Sequence, residues 1–334
     1  MPSKYDILAL SMGEPAGIGP EIALKAWIDR EREGIAPFVV FGDPDLLISR
    51  ARMFGLQVPV KTCTLEEAFD AFNLYLPVIP LENKMNDAPG EIEVANAPAV
   101  IEAIEKATAA VLEGKAKAVV TCPIQKSSLY EAGFSFPGHT EFLGALAEAA
   151  TGEPANPVMM LAGPLLRTVP VTAHLPISKV PEALTAERLE LVATITAHDL
   201  ETRFGITRPR LAVAGLNPHA GEAGAMGTED AEIIAPTIEK LKAKGLSVTG
   251  PHSGDTLFHA KARENYDAAI AMYHDQALIP VKTISFDETV NVTLGLPFIR
   301  TSPDHGTAID IADKGVASPA SLIAALNLAG SLKS

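Results

Sequence analysis

Cysteine is scarce in this chain, and that absence excludes much. Only two cysteines occur in 334 residues, Cys63 and Cys122, far apart and in no CxxC pair. A disulfide framework and a cysteine-rich zinc module are both ruled out, and a reducing cytoplasm fits. Long apolar runs are also missing. No stretch approaches the roughly 18 residues a membrane span needs, and the opening MPSKYDILALSMG has no extended apolar core, so neither membrane span nor signal peptide is expected. Basic residues are few: 27 Lys and Arg against 41 Asp and Glu leave a formal net charge of -14. Such a surface repels nucleic acid and anionic lipid, although a local pocket can still be basic. Both familiar phosphate fingerprints are absent too: neither GxGxxG nor a glycine-rich loop ending in GK[ST] is present.

What is present is enough apolar chain (47%) for two cores. Short apolar runs alternate with helical patterns. AKAVVTCP (116–123) shows no polar alternation, as expected of a strand covered on both faces, and Val100, Ile104, Ala107 and Val111 fall on one face of a helix. The alternation predicts an α/β protein with mainly parallel sheet. YDILAL opens into SMGEPAGIGPE, where Gly13, Gly17 and Gly19 mark a turn before a helix. That turn is expected either to expose its backbone to an anion or cofactor or simply to pack tightly.

Three histidines share one context. His174 ends PVTAHLP, His219 sits in the turn of GLNPHAGE after the run RLAVA, and His274 ends AAIAMYHDQ. Each follows an apolar strand, and an α/β protein builds its site at the C-terminal rim of its strands. Three neutral imidazoles bind a divalent ion and leave positions open for substrate. A catalytic metal on His174, His219 and His274 is therefore expected, with Asp275 as a further ligand or as an orienting carboxylate. A second cluster is basic. His139 and Thr140 lie at a predicted helix start, with Thr140 as its cap, and Lys126, Lys282 (on a predicted strand, LIPVKTISF) and Arg300 lie beside strand ends or turns. Together they suit a phosphate. Asp255, in SGDT, reads as a turn residue or a carboxylate beside the metal. A metal hydrolase, a metal-assisted dehydrogenase and a non-catalytic binding protein all remain compatible with these residues.

The motifs GEPAGIGPE (13–21), PGHTEF (137–142), GLNPHAGE (215–222), MYHDQ (272–276) and VNVTLGLPFIRTSPDHGTA (290–308) together resemble the 4-hydroxythreonine-4-phosphate dehydrogenase family of vitamin B6 biosynthesis, over nearly the whole chain. DHGTAIDIADKG is similar to the adenosine-contacting segment of isopropylmalate and isocitrate dehydrogenases. The resemblance implies a two-domain isocitrate/isopropylmalate dehydrogenase-like fold, with mixed sheets flanked by helices and an active-site cleft between domains. The expected domains are 1–130 plus 300–334, with cofactor contacts, and 131–299, with metal, substrate and dimer contacts. It implies a cytoplasmic homodimer with its site at the subunit interface, one divalent ion (Zn, Mg, Mn or Co) per site on His174, His219 and His274, and NAD or NADP as oxidant. Substrate contacts would be His139, Thr140, Lys282, Asn291 and Arg300. Cofactor contacts would be Gly13, Glu14, Asp304 and His305, and proton transfer would fall to Lys282 and Asp255. The implied reaction oxidises 4-phosphooxy-L-threonine and then loses CO2, giving 3-amino-2-oxopropyl phosphate. Relatives that oxidise four-carbon sugar-acid phosphates or aromatic cis-dihydrodiols share the metal histidines. Two positions depart from the usual pattern: Asp313 stands where a small residue is expected, and Ala277 where Gly often sits.

Overall fold

Apolar runs too short for helices, separated by longer helical segments, can bury both faces only in a parallel sheet covered on each side. A computed structural model describes residues 4–334 and shows that arrangement; the first residues of the opening segment lie outside it. The strands are β1 (Leu8–Ser11), β2 (Phe38–Gly42), β3 (Val60–Thr62), β4 (Leu76–Pro80), β5 (Ala118–Thr121), β6 (Val158–Ala162), β7 (Arg167–Pro170), β8 (Arg210–Ala214), β9 (Ser247–His252), β10 (Ala268–Ala271), β11 (Val290–Leu294) and β12 (Ile299–Pro303). The helices are α1 (Gly19–Asp29), α2 (Pro44–Met53), α3 (Leu65–Ala71), α4 (Ala97–Leu112), α5 (Lys126–Glu131), α6 (His139–Thr151), α7 (Val180–Ala183), α8 (Ala186–Thr202), α9 (Ala235–Ala243), α10 (Gly254–Leu257), α11 (Ala260–Arg263), α12 (His274–Ile284) and α13 (Ala320–Ser331).

Contacts divide the chain into two units. Of the described residues, the first holds 4–157 and 296–332. Its strands run β3-β4-β2-β1-β5-β12 and every pair is parallel. β1, β2 and β5 are buried throughout, as the unbroken apolar runs require. Residues 131–157 belong here by packing, because α6 lies against α4. The second unit holds residues 158–295 and is mixed. Its order is β11-β6-β7-β10-β8-β9; β6 is antiparallel to both of its neighbours, whereas β7, β10, β8 and β9 are parallel. Its core gathers Leu161, Leu166, Ala212, Ala269, Leu278 and Val281 from β6, the β6–β7 turn, β8, β10 and α12.

One local expectation changes and one alternative is decided. LIPVKTISF is not a strand: Lys282 lies in the last turn of α12, because Ala277, Leu278 and Val281 form a buried helical face that outweighs Pro280. The GEPAGIG turn does not offer its backbone. Glu14 N donates to Pro123 O, Gly17 N to Glu14 O and Ile18 N to Thr307 O. A β-carbon at Gly17 would meet Thr307 O at 2.7 Å, so these glycines serve close packing. The tail forms one helix, α13, preceded by a 3-10 turn at Ile309–Ile311.

Candidate metal and anion sites

A candidate metal site within the second unit follows from strand order. β7 and β10 are parallel neighbours, and their pairing runs on past the strands: Val171 N donates to Ala271 O and Thr172 N to Met272 O. Both chains leave the sheet at the same rim, so His174 and His274 arrive side by side. Their ring centroids are 5.5 Å apart with planes at 46°. Two imidazoles sharing one tetrahedral ion, with metal–nitrogen distances of about 2.0–2.1 Å, hold their centroids roughly 5 Å apart. The pair therefore fits two ligands of one cation. His274 Nδ1 lies 2.7 Å from Asp275 Oδ1, the outer contact that fixes a ligand imidazole and leaves Nε2 available.

β8 flanks β10 on its other side and ends in Gly215 at the same rim. Gln276 ties the two strand ends together: Met272 N donates to its Oε1 (2.6 Å), and its Nε2 donates to Gly215 O (2.8 Å). The chain then turns through Asn217 and Pro218 to His219. His219, Ala220, Gly221, Glu222 and Ala223 all have φ between 41° and 81°. His174 is left-handed too, at φ 54°. An L-residue pays about 1–2 kcal/mol for that conformation, and such strain gathers where function requires it. His219 opens onto a cavity of about 560 Å³ lined by Asp255, Phe258, Tyr273, Asp275 and Ile279. The Asp255 carboxyl is held below its usual range, first by the Ser253 hydroxyl, which donates to it at 2.6 Å, and further by the nearby His219. Among the described residues no group of three His, Cys, Asp or Glu is close enough to hold a metal ion. One chain thus brings together His174 and His274, but not His219 with them.

A candidate anion site is built within the first unit. Thr140 is not a cap; α6 begins at His139, with Gly138 before it. His139 stands at that helix N-terminus, where amide dipoles favour negative charge. Arg300, from β12, is 3% exposed and donates from Nη2 to Thr121 Oγ1 at 2.8 Å. Burial lowers its guanidinium pKa to about 10. The Lys126 ammonium closes the cluster, since a β-carbon at Gly138 would sit 3.3 Å from it. Burial pushes the His139 imidazole well below its usual pKa, and Arg300 and Lys126 push it further. Its Nε2 is buried without a hydrogen-bond partner. Two cations, a neutral imidazole with an unused nitrogen and a helix N-terminus together make a receptor for a phosphate-like anion.

The remaining expected residues are dispersed. Lys282 and Asn291 lie on α12 and β11. Glu14 is buried, its carboxyl pKa raised by burial, although it accepts from Ala16 N and Ser128 Oγ. Asp304 and His305 are half-buried after β12, and His305 Nε2 is buried without a partner. Asp230, which no sequence motif signalled, holds the turn before His219.

The profile of the family described as pyridoxal phosphate biosynthetic protein PdxA matches residues 34–329. The chain belongs to the PdxA family. It is 55% identical to a 4-hydroxythreonine-4-phosphate dehydrogenase of Methylorubrum populi, over 96% of this chain and 93% of that one. Among solved structures, the 4-hydroxythreonine-4-phosphate dehydrogenase of Klebsiella pneumoniae superposes with a TM-score of 0.84 at 36% identity, covering 98% of both chains. A terephthalate 1,2-cis-dihydrodiol dehydrogenase of Burkholderia xenovorans is also similar, with a TM-score of 0.66 at 30% identity over 97% of both chains. These PdxA-family likenesses agree with the α/β sheets and flanking helices seen here.

Proposed function

We propose that this chain is a 4-hydroxythreonine-4-phosphate dehydrogenase, oxidising 4-phosphooxy-L-threonine to 2-amino-3-oxo-4-(phosphooxy)butanoate, which decarboxylates to 3-amino-2-oxopropyl phosphate. Within PdxA-family membership, the observation that carries this reading is the basic cluster in which Lys126 and His139 gather around the buried Arg300. It suits a substrate with a compact anionic group such as a phosphate.

His139, Thr140 and Arg300 bind the phosphate, and Asn291 and Lys282 orient the rest of the substrate. Holding that remote group spends binding energy on fixing the carbon that reacts. His174, His219 and His274 would hold a divalent cation, which lowers the pKa of the substrate hydroxyl and polarises the carbonyl that forms. NAD or NADP would accept the hydride from C3. Asp255 and Lys282 move the hydroxyl proton and later protonate the carbon that loses CO2. The C–C bond breaks because its electron pair can pass onto the adjacent ketone oxygen. Asp304 and His305 face the cofactor, while Gly13 and Glu14 support it by shaping their packed turn.

The third ligand implies a homodimer in which a second copy completes each site. Exposed apolar side chains beside His174 and on the cavity that His219 lines support this: Leu175 (41%), Ile177 (73%) and Ile279 (62%). We also assign the two units to the domains of an isocitrate/isopropylmalate dehydrogenase-like fold, and the activity to the cytoplasm. Cys63 and Cys122 are free and buried, in keeping with that location, and no described helix is long and apolar enough to cross a membrane.

The test is NAD(P)H formation by metal-replete protein with 4-phosphooxy-L-threonine, D-erythronate 4-phosphate and an aromatic cis-dihydrodiol side by side. Preference for the amino-acid phosphate supports the proposal. Preference for the sugar-acid phosphate keeps the anion site but changes the substrate, and preference for the diol removes the phosphate role of Arg300.

A further inference from the structure

We infer that Asp230 is a positioning residue for His219. Its carboxylate is 2% exposed and lies beneath the turn that carries the imidazole. Oδ1 accepts from Leu216 N at 2.9 Å. Oδ2 accepts from Asn217 N at 3.1 Å and from Asn217 Nδ2 at 3.0 Å. The same Asn217 amide also donates to Glu229 Oε2 at 2.8 Å. These bonds fall on the two residues just before Pro218 and His219, where the chain leaves β8 and enters its left-handed run. Each left-handed non-glycine residue in that run would relax if it were free to do so, so an external anchor has to hold the entry point.

The surroundings are shaped to admit this carboxylate. A β-carbon at Gly215 would meet Asp230 Oδ1 at 2.6 Å, one at Gly221 would meet Asp230 Cβ at 3.3 Å, and one at Gly227 would meet Asn217 Nδ2 at 2.5 Å. Three glycines clear the space between the anchor and the turn. Asp230 also begins a turn of π-helix, Asp230–Ile234, leading into α9, where Pro236 lies in the first turn. The wider turn is a departure from regular helix of the kind found beside functional sites. An aspartate that only capped a helix would bond to amides of its own helix. This one places its bonds on residues 216 and 217, 14 and 13 positions earlier in the chain.

The inference rests on the proposed role of His219 only for its metal consequence; the positioning itself is tested without metal. In Asp230→Asn the shape is kept, but one oxygen becomes an amide that cannot accept. Histidine ring NMR signals of the metal-free protein would be compared with wild type, the His219 signal being assigned by its loss in His219→Ala. The expected result is a shifted or broadened His219 signal with the His139 signal unmoved. Cobalt(II) affinity should then fall about 10- to 100-fold, the usual cost of losing an outer partner of a ligand. If Asp230→Asn does not fold, Asn217→Ala removes two of the side-chain bonds and should move the same signal by less. An unchanged His219 signal in a folded variant overturns the inference. A moved signal with cobalt affinity unaffected even in His219→Ala upholds the positioning and instead refutes the metal role of His219.

Discussion

His174 and His274 face each other at 5.5 Å because β7 and β10 are parallel neighbours that end at one rim. The approach is a product of register, not of spacing in the chain, where 100 residues separate the contacting backbones. A pair set by sheet pairing should survive removal of either ring. His274→Ala should therefore fold and assemble as wild type, yet bind zinc more weakly than the roughly 10–100-fold loss expected when only an outer partner is removed. Competition against a chromophoric chelator measures this; unchanged affinity would take His274 out of the metal site.

Arg300 should discriminate substrate from cofactor. Truncating a buried, hydrogen-bonded charge typically costs about 2–5 kcal/mol, or roughly 30-fold and upward. Arg300→Ala is expected to raise KM for the phosphorylated substrate by that factor while moving KM for NAD by less than about threefold. Steady-state kinetics with each substrate varied in turn provides the check, and equal losses would place Arg300 elsewhere.

His139 makes anion binding depend on pH. Burial, Arg300 and Lys126 all hold its pKa below 6.5, so the free site carries a neutral imidazole at neutral pH. An anion between these groups offsets the repulsion from Arg300 and Lys126 and raises that pKa, so binding takes up a proton. Sulfate, which does not itself titrate here, should bind more tightly as pH falls. Calorimetry in buffers of different ionisation enthalpy should detect the proton; none taken up would exclude His139 from the contact.

A stability prediction concerns Glu102 on α4. Burial alone would raise its pKa. The Lys106 ammonium at 2.6 Å, the amides of Glu82 and Asn83 and the Asn83 side chain outweigh it and bring the pKa from 4.5 to about 2. A depressed carboxylate stabilises the fold above its unfolded pKa and loses that contribution as pH falls through the folded one. Glu102→Gln should thus lower Tm by a few degrees near neutrality, with the gap to wild type closing between pH 4.5 and about 2. A gap independent of pH would mean that packing, not charge, accounts for the loss.

The central strand in AKAVVTCP and the rim positions of the histidines were legible in the sequence, because an unbroken apolar run followed by a turn has few other uses in an α/β chain. The basic cluster was legible as residue types. Its depth was not, since nothing local to Arg300 announces 3% exposure. Lys282 was misplaced because LIPVK is apolar enough for a strand and its proline argues against a helix; the deciding face, Ala277, Leu278 and Val281, acquires meaning only once there is a core beneath it. The sequence left GEPAGIG open between a cradle and a packed turn, because glycine spacing is the same whether a turn admits a ligand or a neighbouring strand. Asp230 was invisible for a related reason: its partners lie across a turn whose left-handed path no composition predicts.

The left-handed backbone at His174 and His219 bears on protein engineering. A stabilisation campaign that ranks positions by conformational comfort would choose these two early and offer glycine, gaining up to about 1 kcal/mol at each. Each such gain would delete an imidazole. In this chain the positions that look easiest to improve are the ones to leave untouched, and heat resistance is better sought in helices remote from the rim.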